Sequence, residues 1–181
     1  MRGNKFAKWF LLFISVVFAC TGLLSVEKAQ ASTVPDLEFI KSIGSGGSGD
    51  GQFNRLHASA VDSKGNLYVA DSYNHRIQKF APDGTFLKRW GKDGGNGNSG
   101  VGHGEFLEPL GIAIDSKDHV FVTEAGNFRV QQFDSEGNYI RMWEGGAGDA
   151  ADKFNIPLGI VFDTQDNMYV VEGGEKPYPK V

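Results

Sequence analysis

The side chains of this chain that could do chemistry are few, and several recur. Arg76 and Arg129 hold one repeated position, each just after an acid of the preceding segment, Asp71 or Glu124. An Arg beside a carboxylate either pins the structure as a hydrogen-bonded pair or offers its guanidinium to an acidic ligand. Asp62, Asp115 and Asp163 recur at segment ends. An Asp there satisfies backbone N–H groups of a turn, which explains it without catalysis. Serines such as Ser63 and Ser116 fall in turns, and no G-x-S-x-G motif is present. No nucleophile, base and orienter can be assembled, so no catalytic residue is assigned.

Cofactor motifs fare no better. Two G-x-G-x-x-G runs occur, at Gly44, Gly46 and Gly49 and at Gly95, Gly97 and Gly100. A dinucleotide site needs such a run between a strand and a helix. These lead instead into Phe53 and Phe106 with no helical pattern, so they read as connecting loops. The 91–104 loop carries Asp93, Asn96 and Asn98, but the alternate positions where calcium wants oxygen ligands fall on Gly95 and Gly97. Zinc needs about three protein ligands around one point; His57 is one, and Leu110 and Leu158 stand where its counterparts would be. No cofactor is expected. Zinc at His57 and calcium at the glycine loop are the alternatives.

The elements that must position these residues come from internal repetition. Adding 53 to Phe53, Asp62, Asn74, Arg76, Gln78, Phe80, Gly84 and Trp90 lands on the same residue types: Phe106, Asp115, Asn127, Arg129, Gln131, Phe133, Gly137 and Trp143. A third copy begins 48 further on, at Phe154, and loses the pattern after Gly174. Each unit predicts four short strands: one ending in the recurrent Asp, an alternating one such as Leu67-Tyr68-Val69-Ala70, a third over 76–80, and a fourth over 85–90. Turns such as Ser63-Lys64-Gly65-Asn66 and Pro82-Asp83-Gly84 separate them. Four strands at a 40–50-residue period predict the blades of an all-β propeller.

These repeats resemble the NHL family. The match rests on Asn74-His75-Arg76-Ile77 and Asn127-Phe128-Arg129-Val130 at the head of the third strand. It rests also on the Pro-x-Gly-Ile lead-in (Pro109, Gly111, Ile112; Pro157, Gly159, Ile160) and on Tyr68-Val69-Ala70-Asp71. The resemblance covers nearly all of residues 37–174. It implies four-stranded antiparallel blades in a ring of about six, of which about two and a half are present here. The expected divisions are a lone closing strand at 37–44, blade one at 51–91, blade two at 104–145 and a truncated blade three at 152–181. The simplest account is a C-terminal truncation, with self-association of the incomplete ring as the alternative.

The same resemblance puts the lead-in near the central channel. In the similar peptide-amidating lyases, zinc-binding His residues stand at such positions, with an Arg near the third strand. It thereby implies a candidate ligand-contacting set of His57, Arg55, Tyr73, His75, Arg76, Phe128 and Arg129.

The first 31 residues predict a secretory signal. Arg2, Lys5 and Lys8 precede an apolar run from Trp9 to Leu24, and Ala29-Gln30-Ala31 supplies a small-x-small cleavage site. Cleavage after Ala31 is expected; the alternatives are lipidation of Cys20 and an uncleaved anchor. Export to the periplasm, cell surface or medium follows, with no membrane span after cleavage. The chain has 181 residues, 18 Lys+Arg, 22 Asp+Glu, 25 Gly and one Cys. Losing Arg2, Lys5, Lys8 and Lys28 against Glu27 makes the remainder more acidic by three charges. No basic cluster is left to meet a phosphate backbone, so nucleic acid is disfavoured as partner. The expected function is a non-catalytic scaffold for protein, peptide or glycan ligands. The alternative is a metal-dependent lyase or lactonase-like propeller enzyme.

Overall fold

The computed structural model describes residues 39–145 and 153–173. A short parallel pair, β1 (Ser45–Gly46) and β2 (Gln52–Phe53), comes first. The first full sheet contains β3 (Leu56–Val61), β4 (Leu67–Asp71), β5 (Arg76–Phe80) and β6 (Phe86–Gly91), in sequence order and antiparallel throughout. The second contains β7 (Pro109–Ile114), β8 (Val120–Glu124), β9 (Arg129–Phe133) and β10 (Tyr139–Glu144) in the same order. The third contributes β11 (Pro157–Phe162) and β12 (Met168–Glu172). The first strands, β3, β7 and β11, lie side by side, so successive sheets stack face to face as propeller blades.

Alternation of side chains explains why the sheets stack. Strands β4, β5, β8 and β9 are buried at nearly every position, because a neighbouring blade or loop covers each face. Tyr68, Ala70, Ile77 and Trp90 of blade one meet Phe106, Ile112, Val120, Val122 and Phe133 of blade two. Ala113, Phe121 and Val130 meet Ile160, with Phe162, Met168 and Val170 packed alongside. Burying one such large side chain contributes roughly 1.5–3 kcal/mol. In β12 the pattern reverts to alternation: Tyr169 and Val171 are exposed, Met168 and Val170 half-buried.

The lone strand expected at 37–44 has no strand pairing over its described part, 39–44. Residues 41–44 nevertheless lie on blade one much as β6 lies on blade two. A Cβ on Gly84 would come within 3.2 Å of the Ile43 side chain, and one on Gly137 within 2.8 Å of the Trp90 ring. Lys41 Nζ donates to Pro82 O at 3.2 Å, and Lys88 Nζ donates to Glu136 O. The segment has the place of a fourth strand without the ladder, because among the described residues no strand runs beside it. The expected signal at 1–31, and residues 152 and 174–181 of the expected third blade, lie outside the described residues.

Candidate functional site

The recurrent Asn, Arg and Gln of the third strand converge on the acid that ends the second. Asp71 Oδ2 accepts from Arg76 Nε at 2.8 Å, Gln78 Nε2 at 3.1 Å and Asn74 Nδ2 at 2.9 Å. Its Oδ1 accepts from the Asn54 N–H at 2.8 Å. The rest of the Arg76 guanidinium donates to the carbonyls of Ser48, Gly49, Gln52 and Gly95 at 2.7–3.3 Å. Blade two repeats the plan. Glu124 accepts from Arg129, Asn127, Gln131 and the Leu107 N–H, and Arg129 donates to the carbonyls of Val101, Gly102 and Glu105. Burial raises the Glu124 pKa above the ordinary Glu value although Arg129 pulls it down.

This geometry corrects one reading of the candidate set. Arg76 and Arg129 are 0% and 4% exposed, and their donors are spent on an acid and on loop carbonyls. They tie the glycine loops to the blades and have no face to offer a ligand. A fork of five donors suits that task, since it can bond several carbonyls at once.

The other candidates gather at one end of the blades, where β3 begins, β4 ends and β5 begins. Arg55 lies over the Tyr73 ring at 4.8 Å and its Nη1 donates to the Tyr73 hydroxyl. His75 Nδ1 accepts the Glu108 N–H at 3.2 Å, bridging blade one to blade two. Phe128 is exposed at the matching position of blade two. Arg55, Glu108 and Ile156 share one repeat position, His75 and Phe128 another, and all five hold φ between 48° and 56°. Left-handed backbone at non-glycine residues costs about 1–2 kcal/mol each. It is sustained here by cross-loop bonds such as Tyr73 N–H to Asn54 O and Ala125 N–H to Glu108 O.

His57 sits in a β-bulge of β3, between the paired residues Leu56 and Ser59. The same irregularity recurs in β7 and β11, so the bulge belongs to this repeat position whether it carries Pro-x-Gly or, as in β3, Leu56-His57-Ala58. The side chain is exposed and lines a cavity of about 370 Å³ with Lys41, Ile43, Leu56 and Leu67. An adjoining apolar groove of about 510 Å³, which shares Ala58 and Ser59 with that cavity, follows β3, β7 and β11, and His57 is not among its lining residues. Among the described residues no three His, Cys, Asp or Glu side chains converge on one point. In the glycine loop, Asn98 N–H donates to Asn96 Oδ1 at 3.0 Å and Asn98 Nδ2 to Asp93 Oδ2 at 3.4 Å. Neither glycine run opens an α-helix.

With that geometry in place, the NHL repeat signature matches residues 53–80 and 106–133, the segments that carry the paired acid and Arg. The chain carries two NHL repeats. It is 30% identical to NHL repeat-containing protein 3 of Mus musculus over 97 residues, which cover 51% of this chain and 26% of that protein. It is 33% identical to peptidyl-glycine alpha-amidating monooxygenase A of Xenopus laevis over 87 residues, 46% of this chain and 9% of that one. The NHL-repeat chain therefore spans about a quarter or less of these relatives. A solved structure of a protein of unknown function from Bacteroides thetaiotaomicron aligns at TM-score 0.50 and 18% identity, over 60% of this chain and 30% of that one, a likeness of fold alone.

Two features of the NHL-repeat chain escaped sequence reasoning. Ser63 donates through its N–H (2.9 Å) and Oγ (2.6 Å) to the two oxygens of Asp118, and Ser116 donates likewise to Asp166. These clasps join the first turns of adjacent blades and hold both Asp carboxyls below the usual range. The second feature is a hydroxyl stitch near the bulge: Ser72 Oγ donates to Pro109 O, and Thr123 Oγ1 to Leu158 O. The repeated Ser before an acid three positions beyond Asp115 or Asp163 was the available signal.

Proposed function

We propose that this chain is an exported, non-catalytic binding module that recognises protein, peptide or glycan ligands with the blade end bearing Arg55, Tyr73, His57, His75 and Phe128. One observation carries the reading. The recurrent ion pairs are consumed inside the frame, while a cation over an aromatic ring and a second aromatic stand exposed on adjacent blades, on left-handed loops pinned to their neighbours. Exposed aromatic and Arg side chains on stiff supports are the usual anchors of an interface.

The test is a screen of the immobilised chain against peptide and glycan arrays, repeated with the triple variant Arg55→Ala/Tyr73→Ala/Phe128→Ala. Hits should weaken at least about tenfold in the variant. Hits of unchanged affinity would move the site elsewhere.

The likeness to the Xenopus laevis amidating protein favours a second reading, a metal-dependent lyase. His57 is the residue of this chain that would bind the metal, and zinc titration of the wild type against His57→Ala decides it. A stoichiometric heat of binding lost in the variant supports the lyase reading.

A further inference from the structure

We propose that Asn96 is a self-modifying residue: in the folded chain the backbone nitrogen of Gly97 displaces its side-chain amide, leaving Asp or isoaspartate and one more negative charge on the 91–104 loop. The chemistry needs no ligand, metal or partner.

Asn96-Gly97 is the one Asn-Gly step in the sequence. Glycine has no Cβ to crowd its own nitrogen or restrict its backbone, so that nitrogen can reach the side chain before it. The turn asparagines of the repeats are held instead. Asn66, Asn74, Asn127, Asn138 and Asn167 each donate Nδ2 to a nearby carboxylate at 2.7–2.9 Å, and each precedes a large residue. Asn98 donates Nδ2 to Asp93 at 3.4 Å and precedes Ser99. Asn96 is exposed, and among the described residues its Nδ2, the group that must leave, has no partner.

The loop also presents the reacting groups. Asn98 N–H donates to Asn96 Oδ1 at 3.0 Å, so a backbone donor already faces the oxygen that gains charge when Cγ is attacked. Gly97 holds φ at 101°, and among the described residues its N–H donates to nothing. A Cβ built on Gly97 would meet nothing within 4 Å, so the cyclic intermediate has room. The step balances: the bond from Gly97 N to Asn96 Cγ forms, the Cγ–Nδ2 bond breaks, and Nδ2 leaves as ammonia with the proton that Gly97 gives up. Water then opens the succinimide at either carbonyl, giving Asp or isoaspartate.

The bonds that tie this loop down lie on either side of the reacting pair. Before it, Gly95 O accepts from Arg76 Nη1 at 3.3 Å, and Gly95 N–H donates to Lys92 O at 2.9 Å. After it, Gly100 O accepts from Asn127 Nδ2 at 2.9 Å, and Gly100 N–H donates to Phe106 O at 2.9 Å. Conversion therefore changes the charge of the arch over 96–99 and leaves the blade frame intact.

Incubation of the purified chain in mildly alkaline buffer, followed by peptide mapping in a mass spectrometer, tests this. Asn96 should turn into a mixture of Asp and isoaspartate ahead of every other Asn, with release of ammonia. Gly97→Ala should slow the conversion at least about tenfold. Asn98→Pro, which removes the polarising N–H, should slow it at least about threefold. Melting curves that match the wild type verify folding of both variants, and Asn96→Asp should melt as the wild type does. An Asn96 that persists, or converts no faster than Asn66 or Asn138, overturns the proposal, as does a rate indifferent to Gly97→Ala. A rate unchanged in folded Asn98→Pro overturns the part given to the loop's shape. A lower melting point for Asn96→Asp overturns the intact frame.

Discussion

Ser63 and Asp118, 55 positions apart in the chain, are joined by two hydrogen bonds that clamp the first turn of blade one to that of blade two. Ser116 and Asp166 repeat the relationship one blade later. Such a pair is independent of the apolar contacts between the sheets, so it can be removed without touching the core. Ser63→Ala and Asp118→Ala should each lower the urea midpoint, and the double variant should be no less stable than the worse single one. A double-mutant cycle by urea unfolding measures this coupling. Strict additivity would show the clasp to be energetically idle.

The buried pair of Arg129 and Glu124 predicts a larger effect. Arg129→Ala leaves the buried Glu124 without its main partner, at a cost of about 3–5 kcal/mol. Arg129→Lys keeps the charge and cannot reach the carbonyls of Val101, Gly102 and Glu105 together, so it should remain about 1–3 kcal/mol below wild type. Equilibrium denaturation of the two variants checks the order.

Acid should act through these carboxylates in opposite directions. Hydrogen bonds from Ser63 and Ser116 lower the pKa of Asp118 and Asp166 in the folded chain, and those from Asn167 lower that of Asp163. Their contribution is complete above the unfolded Asp value, about 3.9, and disappears as pH falls through the still lower folded values. Glu124 is raised by burial. Its ionised form costs stability above its folded value, and that cost is relieved on acidification toward the unfolded Glu value, about 4.3. Asp118→Asn should flatten the loss of stability below about pH 4. Glu124→Gln should remove the gain just above it. Urea midpoints from pH 3 to 7, measured for the wild type and both variants, separate the two.

Gly137 offers a steric test of the junction between blades one and two. It holds φ at 76°, and a Cβ there would meet the Trp90 ring at 2.8 Å. Gly137→Ala combines left-handed strain with overpacking and should destabilise by about 3 kcal/mol. Thermal melting followed by Trp fluorescence reports both the loss and the displaced indole.

The proposed export makes a prediction that needs no folded state. Expressed in a secreting host, the chain should start at Ser32 in intact-mass analysis. A lipid adduct on Cys20 or a retained Met1 would show that residues 1–31 serve as an anchor.

What the sequence by itself determined is the blade. The 53-residue repetition, the alternation in strands such as Leu67–Asp71 and the turn-forming Asp62 and Asp115 are local patterns, and local hydrogen bonding and side-chain alternation turn them into four-stranded sheets. The recurrence of Asn74, Arg76 and Gln78 was equally plain, and a pinned pair was one of two readings open for the Arg. Only the tertiary structure decided between them, because the carbonyls that saturate Arg76 come from Ser48, Gly49, Gln52 and Gly95, which no repeat alignment brings near it. The same holds for the clasps and for the contact of Arg55 with Tyr73. Repetition tells how each blade is made. Which of its polar groups are spent on the neighbouring blade or loop, and which remain for a partner, depends on contacts between segments far apart in the chain, and those exist only once the blades are stacked.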